Sequence, residues 1–490
     1  MSKNVKSIAI LGSGIGGLGA AVRLRSAGFK VDIYEQHHTY GGKMGEWESE
    51  GYRWDTGPSL FTMPHYVDEL LGIDGEIGSD FKYKKLDTVC NYFWDDGTRL
   101  KAPSDRDELA SQFEENLGES KETILNFLKD SKMKYEITNH VFLEKSLHKL
   151  KTYLNWNTVL SLIRLPKIQV FRRMSSVNRK WFKNPKTMQF FNRYATYNGS
   201  NPYEAPATLN VIPYYEYGFG AYFPEGGIRK IASTVYKKAL SLGVKFYFET
   251  PVESVEKKEN GYLVNEQTQY DIILSNIDVA TAARGPLKSL LSTQGQNYEP
   301  SSSALIFYWG MDRSFEDLDV HNILFTKDYK KEFSNIFQNK RIDEDPTVYI
   351  HISSKAEKKD APDGCENWFV MVNAPYDDNQ NWDEIIEKAR NNIIAKLSNN
   401  LGVDISKNIK VENKLTPQLI HSKTGSRKGA LYGSSSNNRM SAFLRQSNFS
   451  SKHKGLYFCG GSVHPGGGIP LSLLSAKIST DLIKSDYIFR

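Results

Sequence analysis

Residues 7–35, SIAILGSGIGGLGAAVRLRSAGFKVDIYE, decide the fold. Residues 7–11 are a short apolar run of the kind buried in a parallel sheet. The run enters Gly12-Ser13-Gly14-Ile15-Gly16-Gly17, which matches GxGxxG. Leu18, Ala21, Val22 and Leu24 follow at helical spacing, Gly28 closes the helix, and residues 31–35 form the next strand. Gly12 permits the tight turn, Gly14 lets the backbone approach a pyrophosphate, and Gly17 lets helix and sheet pack closely. The helix N-terminus offers N–H groups and a positive dipole end to phosphates. Glu35 stands 23 residues after Gly12, at a strand end where its carboxylate can accept both ribose hydroxyls. An acid there favours a free 2′-OH over a 2′-phosphate. A glycine turn alone is weak evidence. Between a strand and a helix, with acid at this distance, it predicts a dinucleotide site.

The next segment separates flavin from nicotinamide. Tyr40-Gly41-Gly42-Lys43 sets two glycines and a cation just past Glu35, and residues 51–59, GYRWDTGPS, form a second glycine turn. A nicotinamide domain would continue directly into another βαβ unit. A glycine pair with a following base can instead wrap an extended FAD, Lys43 neutralising phosphate charge. Without the neighbouring motif the same residues would read as a surface loop with a solvated lysine. Near the other end, residues 455–476, GLYFCGGSVHPGGGIPLSLLSA, run 22 positions without a charge, long enough for a membrane span. Six of them are Gly and two are Pro. Each Gly costs a helix interior about 1 kcal/mol and each Pro about 3. The stretch therefore reads as a buried strand at 456–459, a glycine turn, and a helix starting near Pro470.

The 490 residues suggest about three domains. Hydrophobic residues at 39% and charged residues at 24% describe a globular chain, and a mean hydropathy of −0.50 argues against a multi-span membrane protein. Cys90, Cys365 and Cys459 lie far apart without CxxC or zinc spacing, which excludes a disulfide scaffold and a zinc module and leaves no metal expected. The N-terminus lacks a signal-peptide layout, so a cytoplasmic location is expected. A net charge of +6 selects no partner. Aromatic residues at 12% suffice to line a long apolar cavity.

Residues 252–278 read as a meander, with a hairpin turn at Glu259-Asn260-Gly261 and an apolar strand at 270–274. Residues 303–309 and 368–372 are further strands, expected in a sheet roofing a substrate cavity. The resulting class is α/β. A discontinuous Rossmann-like FAD-binding domain (1–84, 225–285 and 415–490) is expected beside a mixed-sheet substrate domain (85–130 and 286–414). A helical, membrane-facing subdomain is expected at 131–224.

That subdomain is unusual in charge. Residues 145–186 carry eleven Lys and Arg, Arg172 and Arg173 among them, and no Asp or Glu. Trp156, Val159, Leu160 and Ile163 share one helical face within it. A basic, aromatic-bearing amphipathic segment lies on an anionic bilayer surface, each cation near the surface contributing roughly 1 kcal/mol. The alternative is a helical subdomain with a solvated basic rim. No nucleic-acid fold accompanies the charge, so no nucleic-acid partner is expected.

The chain also resembles the bacterial phytoene-desaturase type of carotenoid desaturase, a relative of the flavin amine oxidases. The resemblance rests on GSGIGGLGAA at 12–21, YEQHHTYGGK at 34–43 and GYRWDTGPSLFTMP at 51–64. It continues through YNGSNPYEAPATLNVIPYYEYGFGAYFPEGG at 197–227, LSNID at 274–278 and GLYFCGGSVHPGGGIPLSLLSAK at 455–477. Lys43 stands where many relatives have Arg, which keeps charge and loses a planar fork. The resemblance implies FAD held by Gly12, Ser13, Gly14, Gly16, Gly17, Glu35, Gly42, Lys43 and Gly57. It further implies the backbone of Val252, in a strand at 251–253, beside adenine, and Gly460, Gly461, Gly467, Gly468, Ile469 and Pro470 near the flavin ring. The implied reaction removes two hydrogens from adjacent saturated carbons of a C40 polyene met at the membrane. Hydride goes to the flavin and the electrons pass to an acceptor such as oxygen or a quinone. Overall likeness favours 3,4-desaturation of a 1-hydroxycarotenoid; multi-step phytoene or lycopene desaturation and amine oxidation are the alternatives.

The aromatic run from Tyr194 to Phe223, with Tyr194, Tyr214, Tyr215, Phe219 and Phe223, is the candidate tunnel lining, ordinary core being its alternative. Arg193 and Glu216 are candidates to orient a substrate hydroxyl, or else a satisfied surface pair. His464 is a candidate for acid–base work or for turn packing. No catalytic base is assigned.

Overall fold

The computed structural model describes residues 5–75, 81–139, 143–149, 164–293, 298–437 and 445–488. Ser7–Leu11 is the central strand of a five-stranded, all-parallel sheet. The order across it is Lys245–Tyr247, Lys30–Tyr34, Ser7–Leu11, Ile272–Ser275, Leu456–Phe458. Three stretches of chain, hundreds of residues apart, thus build one layer. Ser7–Leu11 and Ile272–Ser275 are mostly apolar runs because both faces are covered. Helix Ile15–Ser26 and the C-terminal helix Ile469–Tyr487 pack against each other on the sheet. Gly19 allows this crossing: a Cβ there would lie 2.9 Å from Leu473 Cδ2.

Two readings of this region need correction. Residues 270–274 are not one strand. Thr268–Tyr270 belongs to a three-stranded antiparallel meander and Ile272–Ser275 to the parallel sheet. The break falls at Asp271, whose carboxylate takes the Ser7 N–H at 2.8 Å and the Lys6 ammonium at 2.7 Å. Residues 251–253 are irregular rather than a strand. Asn265 replaces the missing neighbour strand, accepting the Glu253 N–H at 2.8 Å and donating to Pro251 O at 2.9 Å.

The second layer is a seven-stranded mixed sheet. Its order is Ile409–Leu415, Ser303–Met311, Glu366–Ala374, Val348–Ile352, His321–Leu324, Thr88–Phe93, Arg99–Pro103. All neighbours are antiparallel except His321–Leu324 beside Thr88–Phe93. Alternation assigns its faces. Leu305, Phe307, Trp309 and Val370 pack outward on helix Trp382–Leu401 through Ile386 and Ile393, whereas Ile306, Tyr308, Phe369 and Met371 face a cavity. The segment 85–130 supplies strands Thr88–Phe93 and Arg99–Pro103 to this sheet. The chain then turns to helices Arg106–Leu117 and Lys121–Thr138, whose Phe113 and Phe127 join an aromatic core with Phe190 and Phe191.

Of the basic segment, Trp156, Leu160 and Ile163 lie outside the described residues. Arg172 and Arg173 are exposed beside Phe171, itself 76% exposed, just before helix Met174–Trp181. Among the described residues no helix is long and apolar enough to cross a membrane.

Candidate functional site

The two glycine bends, one from each end of the chain, meet. A Cβ built on Gly16 would lie 3.1 Å from Gly460 Cα and 2.6 Å from Asn276 Oδ1. One on Gly14 would lie 2.8 Å from Asn276 Nδ2, and one on Gly42 would lie 3.2 Å from Gly14 Cα. Any side chain at these positions would fill the groove they form. Helix Ile15–Ser26 starts at Gly14 and helix Ile469–Tyr487 at Gly468, and neither start carries a side-chain cap. Two positive dipole ends with backbone N–H groups thus converge on one groove.

Glu35, 7% exposed, closes one end of the groove. It accepts the Ser13 N–H at 2.9 Å, the Ser13 hydroxyl at 2.7 Å and the His37 N–H at 3.0 Å. Thr250 N–H donates to Glu35 O, which brings Val252 alongside. Gly57 packs on the Lys43 carbonyl, and Gly461 approaches Gly467. The Lys43 ammonium donates to the Leu431 carbonyl at 2.8 Å. Burial drives its pKa down to about 8, opposed by nearby Asp278. The geometry fits an extended FAD: a side-chain-free cradle, two uncapped helix starts, and a buried carboxylate at the ribose end.

Sequence reasoning missed three residues that shape the cradle. Asn276 sits between the bends, its Nδ2 3.4 Å from Gly12 O. Arg445 is buried and donates to Tyr432 O at 2.7 Å, to Gly461 O at 3.2 Å and to Asn198 Oδ1 at 2.8 Å, fastening the C-terminal turn. Arg229 donates to Tyr40 O and to Met44 O, the latter at 2.8 Å, fixing the Gly41-Gly42 bend. Asn276 stood within a quoted motif; Arg229 and Arg445 gave no local signal.

From Gly42, Gly57 and the 467–470 turn a cavity of about 590 Å³ runs beneath the seven-stranded sheet. Its walls are largely apolar, with Leu60, Met63, Val211, Ile306 and Phe369. Tyr215 lines it, but Tyr194, Tyr214, Phe219 and Phe223 do not. Tyr194 and Phe223 are buried in the aromatic core, and Tyr214 and Phe219 pack on Tyr135. Tyr194 and Tyr214 sit on helical turns, where only part of each turn faces one way, and Phe223 on the strand Ala221–Pro224.

Arg193 and Glu216 do line the cavity, 4% and 1% exposed. The surface-pair alternative is therefore excluded. Glu216 accepts from Arg193 at 3.0 Å, from the Tyr194 hydroxyl at 2.6 Å and from the Tyr197 hydroxyl. His464 lies in the cavity wall, its Nε2 3.0 Å from Lys145 O. A carbonyl only accepts, so the ring donates, and burial lowers its pKa to about 4. His464 is thus a neutral clasp between the C-terminal turn and the start of the basic segment. Also in the cavity wall, Ser59, Tyr349 and His321 form a chain of polar groups that the sequence did not reveal.

Comparisons with known proteins agree with this geometry. The model of the flavin containing amine oxidoreductase family matches residues 15–483. A 1-hydroxycarotenoid 3,4-desaturase of Flavobacterium sp. (strain P99-3) is 48% identical, covering 98% of this chain and 99% of that one. A 4,4′-diapolycopene oxygenase of Methylomonas sp. is 30% identical over 99% of each chain. Among solved structures, a redesigned putrescine oxidase superposes with a TM-score of 0.65 at 13% identity over 99% of each chain, a likeness of fold.

Proposed function

This chain belongs to the flavin-containing amine oxidoreductase family, among its carotenoid desaturases, and from that premise we propose that it introduces the 3,4 double bond of a 1-hydroxycarotenoid. The observation that carries the reading is the apolar cavity that begins at the paired glycine bends and runs under an aromatic-faced sheet. Such a shape suits a long hydrocarbon and offers a cationic amine little. The likeness to the Flavobacterium enzyme favours the hydroxylated substrate over phytoene or lycopene.

FAD, held by the paired glycine bends, would supply a two-electron acceptor for hydride, with oxygen or a quinone as the final oxidant. One substrate C–H loses hydride, its neighbour loses a proton to water, and the C=C forms between them. The chain's own residues hold and exclude. Gly12, Gly14, Gly16 and Gly460 leave space for the pyrophosphate, and Glu35 accepts from the ribose. Lys43, carried at a groove wall, adds counter-charge. Ile306, Tyr308 and Phe369 line the wall along the polyene, over which the developing charge spreads.

The substrate dissolves in bilayers, so we place the entrance at the basic segment. Leu143, just before it, and Leu147, within it, line the cavity, and Thr208, also in the wall, donates to Ile168 O at 3.4 Å within it. Arg172, Arg173 and the exposed Phe171 would rest on an anionic membrane surface from the cytoplasmic side. Product chromatography after incubation with 1-hydroxycarotenoids, lycopene and phytoene tests the reading. Conversion of the hydroxylated substrate, with one added double bond, is expected. Stepwise conversion of phytoene instead would select the multi-step reading.

A further inference from the structure

We infer that the Ser59–Tyr349–His321 chain, in the wall of the cavity that Arg193 also lines, is the specificity-determining site for the substrate hydroxyl, with His321 as the group that reads it. The inference rests on the desaturase reading and names residues that reading does not use.

Tyr349 Oη lies 2.8 Å from Ser59 Oγ and 2.8 Å from His321 Nδ1. His321 and Tyr349 sit on adjacent antiparallel strands, and His351 stands directly opposite His321, their rings stacked at 5.0 Å. The His321 ring is thus held on one nitrogen by Tyr349 and backed by a second imidazole. Its Nε2 is buried without a hydrogen-bond partner, as is Nε of Arg193. His321 is 3% exposed and Arg193 4%. Burial, with the Arg193 charge nearby, lowers the His321 pKa to about 3, so the ring is neutral.

A neutral ring leaves two tautomers. If Nδ1 accepts from Tyr349, Nε2 carries the proton and lacks an acceptor; if Nδ1 donates, Nε2 lacks a donor. A hydroxyl both donates and accepts, and so completes either tautomer. Its oxygen can also accept from the Arg193 Nε–H. Glu216 is already engaged by Arg193, Tyr194 and Tyr197, so its carboxylate does not compete for the ligand. A saturated hydrocarbon end would leave these buried groups unpaired, which is the strongest form of discrimination available to a pocket.

Position agrees. In a 1-hydroxycarotenoid the oxygen is three bonds of roughly 1.5 Å from C3, so it lies about 3–4 Å from the bond being oxidised. A reader of that hydroxyl must adjoin the flavin end of the cavity. Ser59 follows Gly57, the glycine packed on Lys43 at that end, by two residues.

The test uses the FAD-loaded enzyme with His321→Phe and, separately, Tyr349→Phe. Steady-state kinetics are measured on a 1-hydroxycarotenoid and on lycopene, alongside substrate binding by tryptophan quenching. The ratio of kcat/KM between the two substrates is expected to fall about 10–100-fold in His321→Phe and in the same direction in Tyr349→Phe. Binding of the hydroxylated substrate should weaken and that of lycopene should not. Flavin content at the wild-type level establishes that each variant is folded; should His321→Phe lose flavin, Tyr349→Phe decides. An unchanged ratio in a flavin-replete variant overturns the inference and leaves desaturation standing. A wild-type enzyme that converts no carotenoid overturns the reading beneath it.

Discussion

Gly16 has no room for even a methyl group, since a Cβ there meets Asn276 Oδ1 at 2.6 Å and Gly460 Cα at 3.1 Å. Both neighbours belong to the groove itself. Gly16→Ala should therefore lower FAD affinity at least about tenfold, or about 1.4 kcal/mol, seen as lost flavin absorbance after gel filtration. A second residue reports on stability. Glu332 is 1% exposed and accepts the Thr347 N–H at 3.1 Å and its hydroxyl at 2.7 Å. Burial raises its pKa from 4.5 to about 7. The folded state therefore binds more protons than the unfolded chain between those values, and stability falls as pH rises across that window. The loss is on the order of 3 kcal/mol at most. Thermal unfolding should show Tm dropping from pH 5 to pH 8, and the drop should shrink in Glu332→Gln; an equal drop in both removes the assignment. The glycines were legible because GxGxxG is a local pattern with a fixed backbone consequence. His321, Tyr349 and Ser59 were not, because Ser59 meets Tyr349 across 290 residues of chain.

Elements were legible where one rule governs their whole length. The strand after Lys454 and the helix after Gly468 follow from glycine and proline placement alone. The all-buried Ser303–Met311 strand follows from an unbroken apolar run. The reading failed where a side chain stands in for a backbone partner, as Asn265 does beside residues 251–254 and Asp271 does between two sheets. It failed also on the turns and the strand between Tyr194 and Phe223, where aromatic content says nothing about which side faces a cavity. The basic segment is an element whose role rests on charge. Reversing Arg172, Arg173, Arg179 and Lys180 to Glu should weaken binding to anionic liposomes, measured by sedimentation, and the effect should fade at high salt. Unchanged binding would remove the docking surface.

At the scale of the whole molecule, separate stretches of one chain build a single nucleotide layer, and a second sheet roofs the space beside it. The N-terminal and C-terminal glycine bends touch only because both parallel strands feeding them lie in one sheet. The order of motifs along the chain suggested this convergence. The depth of the cavity and the polar groups in its wall arise from contacts between residues far apart in the chain. The most direct measurement is anaerobic mixing of the FAD-loaded enzyme with a 1-hydroxycarotenoid, following flavin and polyene absorbance together. Bleaching of the flavin in step with a red shift of the polyene, one for one, is the predicted result. A flavin that stays oxidised with every carotenoid, yet bleaches with a primary amine, would contradict the account.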